Sequence, residues 1–387
     1  MIAAPTLDTS TVTVALGERS YAVHIGPGEL DRLGERCRVL GRRALVITNA
    51  AVAKLYGQRA LASLREAGID AAVETMPPGE RAKKLATVGK LCEAAIAAGL
   101  DRGSFIVALG GGVVGDVAGF TAACLYRGVR FVQVPTTLVA MVDSSVGGKT
   151  GVNTSHGKNL VGAFWQPSLV SADLDVLASL PAREVRCGLA EVIKHGAILD
   201  VELFERLETE LVQRPSAGVY RLTPRVGLSA ALARYSVQRS CELKGAVVAA
   251  DEREAGQRAW LNFGHTFGHA LEAVGGLGKL HHGEAVSIGM VLAARLGQRR
   301  GEIGERDAGR IEQLCAAAGL PTRLPAGSDP EVLFAAMFKD KKVRDGRLKL
   351  VLLETLGKAR VVDDVPDEQV RDLLREAAGR EASDGIG

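Results

Sequence analysis

The first 180 residues alternate between short apolar runs and stretches with helical spacing. Residues 11–16 and 21–25 alternate apolar and polar positions on either side of Gly-Glu-Arg, which predicts a hairpin. RALVIT (43–48) and SFIVAL (104–109) are unbroken apolar runs, as expected of parallel strands covered on both faces. Residues 71–76 read as another strand, and Phe131 lies near the middle of a further one (GVRFVQVP). Between them, residues 50–67 and 85–98 carry apolar positions at helical spacing and stop at Gly68 and Gly99. Repeated β-α-β units of this kind predict a Rossmann-like parallel sheet with helices on both faces.

The pattern changes after Ser179-Leu180-Pro181. Helical spacing then dominates, over 183–199, 202–211, 227–249, 263–274, 283–300 and 305–318. LKLVLL (348–353) is a lone strand-like run. Pro366 opens a last amphipathic helix over 367–378, and 379–387 reads as a frayed tail. The chain is therefore expected to form an α/β domain over 1–180 and a mainly α-helical domain over 181–387.

Composition narrows the class. The 387 residues are 47% hydrophobic and 24% charged, as in globular proteins. A net charge of +3 is no polycationic footprint, so nucleic acid is not the expected partner. The six cysteines form no CxxC pair, which argues against a disulfide scaffold or a structural zinc cluster. The N-terminus lacks a basic start followed by a long apolar core, so no signal peptide is expected. No apolar run approaches the ~20 residues that span a bilayer, and a soluble cytoplasmic protein is the expectation. Glycine is the outlier: it occurs 46 times, against an average near ~7% of residues. Either the chain is loose, or its backbone comes close to something at particular places.

Two glycine clusters favour the second explanation. Residues 110–115 (GGGVVG) follow SFIVAL directly and fit G-x-G-x-x-G at a strand–loop–helix junction, a place for a pyrophosphate. The usual acidic residue about ~20 positions later is missing, and the motif comes late in the α/β region. The second cluster, DSSVGGKTG (143–151), nearly matches a P-loop. Asp143 stands where that motif needs glycine and would repel a triphosphate, which excludes an NTPase. Lys149, Lys158 and Asn159 nearby favour a bound polar ligand over a plain solvated loop.

Further groups suggest a metal and a phosphate. His265 and His269 share a helix face at i and i+4, and His281 and His282 follow shortly, so four of the seven histidines fall between 265 and 282. Thr266 stands where a zincin would have glutamate. Glu191 and Lys194, three residues apart in an apolar helix, are costly unless paired or liganded. A carboxylate with two histidines is the ligand set of a catalytic zinc with an open position. Lys244, Arg258 and Asn262 are suited to hold phosphate. The run Lys339-Asp340-Lys341-Lys342 reads either as a solvated charge run or as a loop reaching the site.

GGGVVGDVAGF, RGVRFVQVPTTLVAMVDSSVGGKTGVN, GKNLVGAFWQP, LAEVIKHG, DEREAGQR, LNFGHTFGHALE and HHGEAVSIGM, in that order, closely resemble the 3-dehydroquinate synthase family across about residues 40 to 355. The resemblance implies an NAD-binding α/β domain, a helical domain, and an active site in the cleft between them. It implies a homodimer using NAD and a divalent metal, zinc or cobalt. The implied reaction converts a phosphorylated sugar acid, 3-deoxy-D-arabino-heptulosonate 7-phosphate, to 3-dehydroquinate and phosphate in the shikimate pathway. It runs by transient oxidation, phosphate elimination, re-reduction, ring opening and an intramolecular aldol closure. Carried over by motif, the metal ligands are Glu191, His265 and His282. NAD would meet Asn49, Glu80, Lys83, Gly111, Gly112, Val113, Asp116, Thr136, Thr137, Asp143, Lys149, Lys158, Ser179 and Glu184. Substrate carboxylate and hydroxyls would meet Asp143, Lys149, Asn159, Lys194, Lys244 and Lys341 or Lys342. The leaving phosphate would meet Arg258, Asn262, His269 and Arg127, the last from the other subunit. Ser179 replaces a commoner threonine, and Gly245 a commoner alanine. The rival readings are a sister sugar-phosphate cyclase, of the 2-deoxy-scyllo-inosose or 2-epi-5-epi-valiolone synthase type, and a metal-dependent NAD polyol dehydrogenase.

Overall fold

The computed structural model describes residues 9–213, 221–223, 228–275, 280–338 and 348–384. Contacts divide the chain into two compact units, Met1–Val185 with Tyr220–Arg253, and Arg186–Val219 with Glu254–Gly387.

The first unit is built on a seven-stranded sheet. Its hairpin forms as the alternation predicts: β1 (Ser10–Val14) pairs antiparallel with β2 (Tyr21–Gly26). β3 (Arg43–Asn49), β4 (Asp70–Met76), β5 (Phe105–Gly110) and β6 (Arg130–Pro135) are parallel, as the unbroken apolar runs of β3 and β5 predict. Every residue of β5 is buried, and each fully buried valine or isoleucine there contributes about 1.5–3 kcal/mol. Two strands carry no clear alternation and were not anticipated. β7 (Lys149–Thr154) and β8 (Gly157–Phe164) form a separate antiparallel hairpin from the segment that reads as a polar loop. β8 is largely exposed and rich in small and polar residues, so no apolar face marks it. β9 (Leu169–Asp173) inserts between β2 and β6, giving the order β1-β2-β9-β6-β5-β3-β4.

Helix Ala230–Ala250 belongs to this unit and packs on β1. It begins three residues later than the spacing suggests, because Leu228–Ser229 (β11) pairs with Arg221–Thr223 (β10) and the Ser229 side chain caps the helix.

The second unit is mainly helical, with Val201–Glu208, His265–Gly275, His282–Arg299, Glu305–Ala317 and Pro330–Met337. It also holds most of Ala182–Leu199. The late apolar run forms β12 (Leu350–Thr355), paired antiparallel with the unanticipated β13 (Lys358–Val362). Of the expected tail at 379–387, residues 385–387 lie outside the described residues, and helix Asp367–Asp384 runs through Gly379. One interior glycine costs only ~1 kcal/mol relative to alanine, too little to end a helix among good helix formers. All six cysteines are unlinked, and among the described residues no helix is long and apolar enough to cross a membrane.

Candidate active site

In the sheet unit, β5 ends at Gly110 and helix Gly112–Cys124 starts two residues later, with Gly111 as an uncapped, extended N-cap. A Cβ at Gly110 would lie 2.7 Å from the Val114 side chain, at Gly111 3.0 Å from Thr137 Cγ2, and at Gly112 3.0 Å from Ser144 Oγ. The triplet therefore leaves backbone N–H groups of a helix N-terminus accessible where side chains would crowd them, which suits a pyrophosphate. Asp116, one turn in, accepts from the buried Lys83 ammonium. Burial pushes the Asp116 carboxyl up, and Lys83 pulls against it.

The neighbouring candidates hold turns in place. Asn49 Oδ1 accepts from Val52 N–H at 3.1 Å and starts the helix after β3. Thr136 N–H donates to Gly110 O at 3.0 Å, and Thr137 Oγ1 accepts from Ala140 N–H at 3.2 Å. Ser179 shares a hydrogen bond with the Tyr56 hydroxyl, and Glu184 sits in the first turn of helix Ala182–Leu199. Asp143 lies in a wide helical turn, Ala140–Ser144. The buried Lys244 ammonium donates to both its carbonyl and its Oδ1, each at 2.6 Å. Lys149, Lys158 and Asn159 are exposed on the β7–β8 hairpin, and Val113 is half-buried at the helix start. Arg127 is exposed in a short turn at φ +65°, a left-handed conformation. Glu80 O accepts from Lys83 N–H at 3.1 Å. Its Oε1 accepts at 2.6 Å from the amide of Asn153, whose Oδ1 in turn accepts from Asn159 N–H at 2.9 Å. Asn153 was not singled out from the sequence; its position in GGKTGVN beside the glycines was the available signal.

In the helical unit, glycines let three helices approach closely. A Cβ at Gly283 would lie 2.4 Å from Cys187 Cα, at Gly289 2.0 Å from Gly264 O, and at Gly268 3.1 Å from Ala285 O. The approach brings together Glu191 on Ala182–Leu199, His265 on His265–Gly275 and His282 at the head of His282–Arg299. Their ligand atoms all lie within 4.8 Å of one another. Among the described residues, Glu191 Oε1 is buried without a hydrogen-bond partner and faces His282 Nε2 at 3.4 Å and His265 Nε2 at 3.8 Å. Its other oxygen accepts from the buried Lys194 ammonium.

Electrostatics fit the same picture. Burial disfavours a charge on Glu191, yet Lys194 and the two imidazoles hold it well below the usual carboxylate range. Burial, reinforced by Lys194, pushes His265 well below its ordinary value and keeps it neutral. His265 Nδ1 lies 3.1 Å from Phe263 O, which sets the tautomer with Nε2 as the free lone pair. His282 is pushed up to about 10: burial opposes this, but Glu191 and Glu272 outweigh it. Glu272 Oε1, 3.6 Å from His282 Nδ1, was also missed from the sequence. An ionised carboxylate with an orphaned buried oxygen, facing two imidazole nitrogens, fits a divalent cation with nitrogen and oxygen ligands.

Beside this trio, the His269 ring lies 5.5 Å from that of His265 and 6.3 Å from that of His282. Arg258 is buried in the turn Gln257–Asn262. Asn262 Nδ2 donates to Glu254 Oε1 at 3.2 Å, and Glu254 stands in a left-handed conformation at φ +59°. Lys341 and Lys342 lie outside the described residues.

Two family models match the chain: 3-dehydroquinate synthase N-terminal over residues 73–187, and 3-dehydroquinate synthase C-terminal over 188–343. A 3-dehydroquinate synthase of Nostoc punctiforme is 47% identical over 95% of this chain and 99% of its own. That of Nitrobacter winogradskyi is 51% identical over 95% and 96%. Among solved structures, a 2-deoxy-scyllo-inosose synthase complexed with carbaglucose-6-phosphate, NAD⁺ and Co²⁺ superposes with a TM-score of 0.83 at 28% identity, covering 95% of this chain and 100% of that one. A 2-epi-5-epi-valiolone synthase from Streptomyces hygroscopicus subsp. jinggangensis, with NAD⁺ and Zn²⁺ bound, gives 0.82 at 32% identity, covering 95% and 99%.

Proposed function

The chain belongs to the 3-dehydroquinate synthase family, and from that premise we propose how its residues carry out the family's reaction. That reaction makes it a carbon–oxygen lyase, converting 3-deoxy-D-arabino-heptulosonate 7-phosphate to 3-dehydroquinate and phosphate with NAD and a divalent metal. The sister cyclases share the fold at 27–32% identity, whereas the 3-dehydroquinate synthases reach 45–51% over about the whole chain, which favours the carboxylate-bearing substrate.

Glu191, His265 and His282 would hold the metal, and the observation that carries this reading is the orphaned Glu191 Oε1 facing both imidazoles. The N-terminus of helix Gly112–Cys124, with Asp116, Lys83, Glu80, Asn49, Thr136, Thr137, Lys158, Ser179 and Glu184, would hold NAD. When bound, NAD would accept a hydride from the carbon of a substrate hydroxyl and later return it, and the metal, zinc or cobalt, would polarise the oxygen of that hydroxyl. Lys194 and Lys244 are buried ammonium groups already paired with Glu191 and Asp143, so they are fixed donors for substrate oxygens. Lys149, Asn159 and one of Lys341 and Lys342 complete that set. Arg258, Asn262 and His269 would bind the departing phosphate and stabilise its developing charge, with Arg127 contributed by a second subunit of a homodimer. The protein's part is mainly to hold, orient and neutralise charge. A cytoplasmic location accords with this metabolic role.

The test supplies purified protein with metal, NAD⁺ in catalytic amount and the heptulosonate phosphate. Phosphate and 3-dehydroquinate should appear in equal amounts without net NADH. NADH rising in step with substrate loss would point instead to the dehydrogenase reading.

A further inference from the structure

The β7–β8 ladder breaks register opposite Asn153. Val152 faces Val161 and Thr154 faces Gly157, so β8 bulges over residues 158–160. Bulges of this kind re-aim side chains and concentrate beside active sites. Asn159, inside the bulge, stands at φ +56°, a conformation that needs support from its surroundings. Asn153 supplies that support: its Oδ1 accepts from Asn159 N–H at 2.9 Å. The other half of the same amide donates to Glu80 Oε1 at 2.6 Å, and the Asn153 backbone N–H donates to Lys83 O at 2.8 Å. The orientation of the amide is forced, since only its NH₂ can serve the carboxylate and only its oxygen can serve the N–H.

We propose that Asn153 is a positioning residue that ties the loop carrying Glu80 and Lys83 to the bulge carrying Lys158 and Asn159. The proposal rests on the reading of that loop as part of the NAD site. One half-buried side chain then sets two groups of contacts at once, and order in the loop is passed to the bulge. Asparagine is required because the two partners need opposite halves of an amide. Aspartate keeps the acceptor for Asn159 but loses the donor and places a like charge beside Glu80. Alanine loses both.

The experiment uses the full, metal-loaded chain. It measures the NAD dissociation constant by calorimetry, and kcat and KM for the heptulosonate phosphate at saturating NAD. Asn153→Asp should weaken NAD about tenfold, the scale of a lost hydrogen bond to a charged group, and leave the substrate KM near its original value. Asn153→Ala should weaken NAD and raise the KM as well. Glu80→Gln should weaken NAD too, and adding Asn153→Asp to it should cost less than the sum of the two. If Glu80→Gln weakens NAD while Asn153→Asp does not, the proposal is overturned and the loop reading stands. Equal losses in both parameters for the aspartate and alanine variants would also overturn it, by reducing Asn153 to a purely structural role. If Glu80→Gln and Lys83→Met both leave NAD affinity unchanged, the loop reading fails and the proposal goes with it. Should the alanine variant not fold, the aspartate variant alone still separates the first two outcomes.

Discussion

The glycine loop of the sheet unit and the Glu191–His265–His282 cluster of the helical unit use the same residue for opposite ends. At Gly111 and Gly112 an added Cβ would meet only the ends of the Thr137 and Ser144 side chains. Under the proposed function, glycine there clears room for a ligand. At Gly283 and Gly289 it would strike backbone of a neighbouring element, Cys187 and Gly264. Glycine there clears room for other helices, and the ligand groups are side chains that the close approach then aligns. The first candidate site is shaped by main chain and the second by packing, so the two should respond differently to the same substitution.

The largest effect should come from removing a ligand side chain. His265→Ala should lose both bound metal and turnover while keeping the circular dichroism of a folded protein. Metal retained at full occupancy, measured by elemental analysis, would take His265 out of the cluster.

The glycine substitutions come next and test the comparison itself. Gly289→Ala should cost about 1–3 kcal/mol or more, because backbone must move, and should weaken metal binding along with stability. Gly112→Ala should fold normally and weaken NAD, since only the Ser144 hydroxyl has to give way. Equal losses of melting temperature in the two variants would erase the distinction.

Lys194→Met probes the electrostatics of the packed cluster. Removing a buried counter-charge of Glu191 should destabilise the metal-free protein by about 3–5 kcal/mol. Added metal should restore much of the loss by supplying positive charge in its place. Thermal melts with and without metal measure the difference, and a loss indifferent to metal would contradict the pairing.

The smallest effect belongs to the rim of the sheet unit, where Glu252 accepts from Arg19 and from Gln166 Nε2 at 2.9 Å. The Arg19 hydrogen bonds hold the Glu252 carboxyl below its usual range against slight burial. Its contribution is therefore present above the unfolded carboxylate pKa and is lost as pH falls through the lower folded value. Glu252→Gln should lower the melting temperature slightly near about pH 7 and not at about pH 3. Arg19 is largely exposed, so salt should shrink the difference further.

Much of the sheet unit was legible because its signals are local. β3 and β5 announce themselves as apolar runs ended by Asn49 and Gly110, and the helices between them by spacing and a closing glycine. The β7–β8 hairpin was hidden because β8 is exposed and carries no apolar face to alternate. Among the candidate site residues, charge, apolar surroundings and motif drew notice to Glu191, Lys194 and the histidines. Glu272 escaped because nothing in its immediate neighbours distinguishes it from a solvated polar residue, and Asn153 because its one signal, the glycine cluster beside it, drew notice to Lys149 instead.

By itself, the sequence determined the β1–β2 hairpin, the apolar strands β3 to β6 and β12, most of the helices, and which residue types are available for chemistry. These depend on backbone preference and on apolar period, both set within a few residues. Only the tertiary structure decided that β9 enters between β2 and β6, that helix Ala230–Ala250 joins the sheet unit, and that Glu191 meets His265 and His282. Those outcomes depend on which surfaces pack together and how closely, a long-range property that no local pattern encodes.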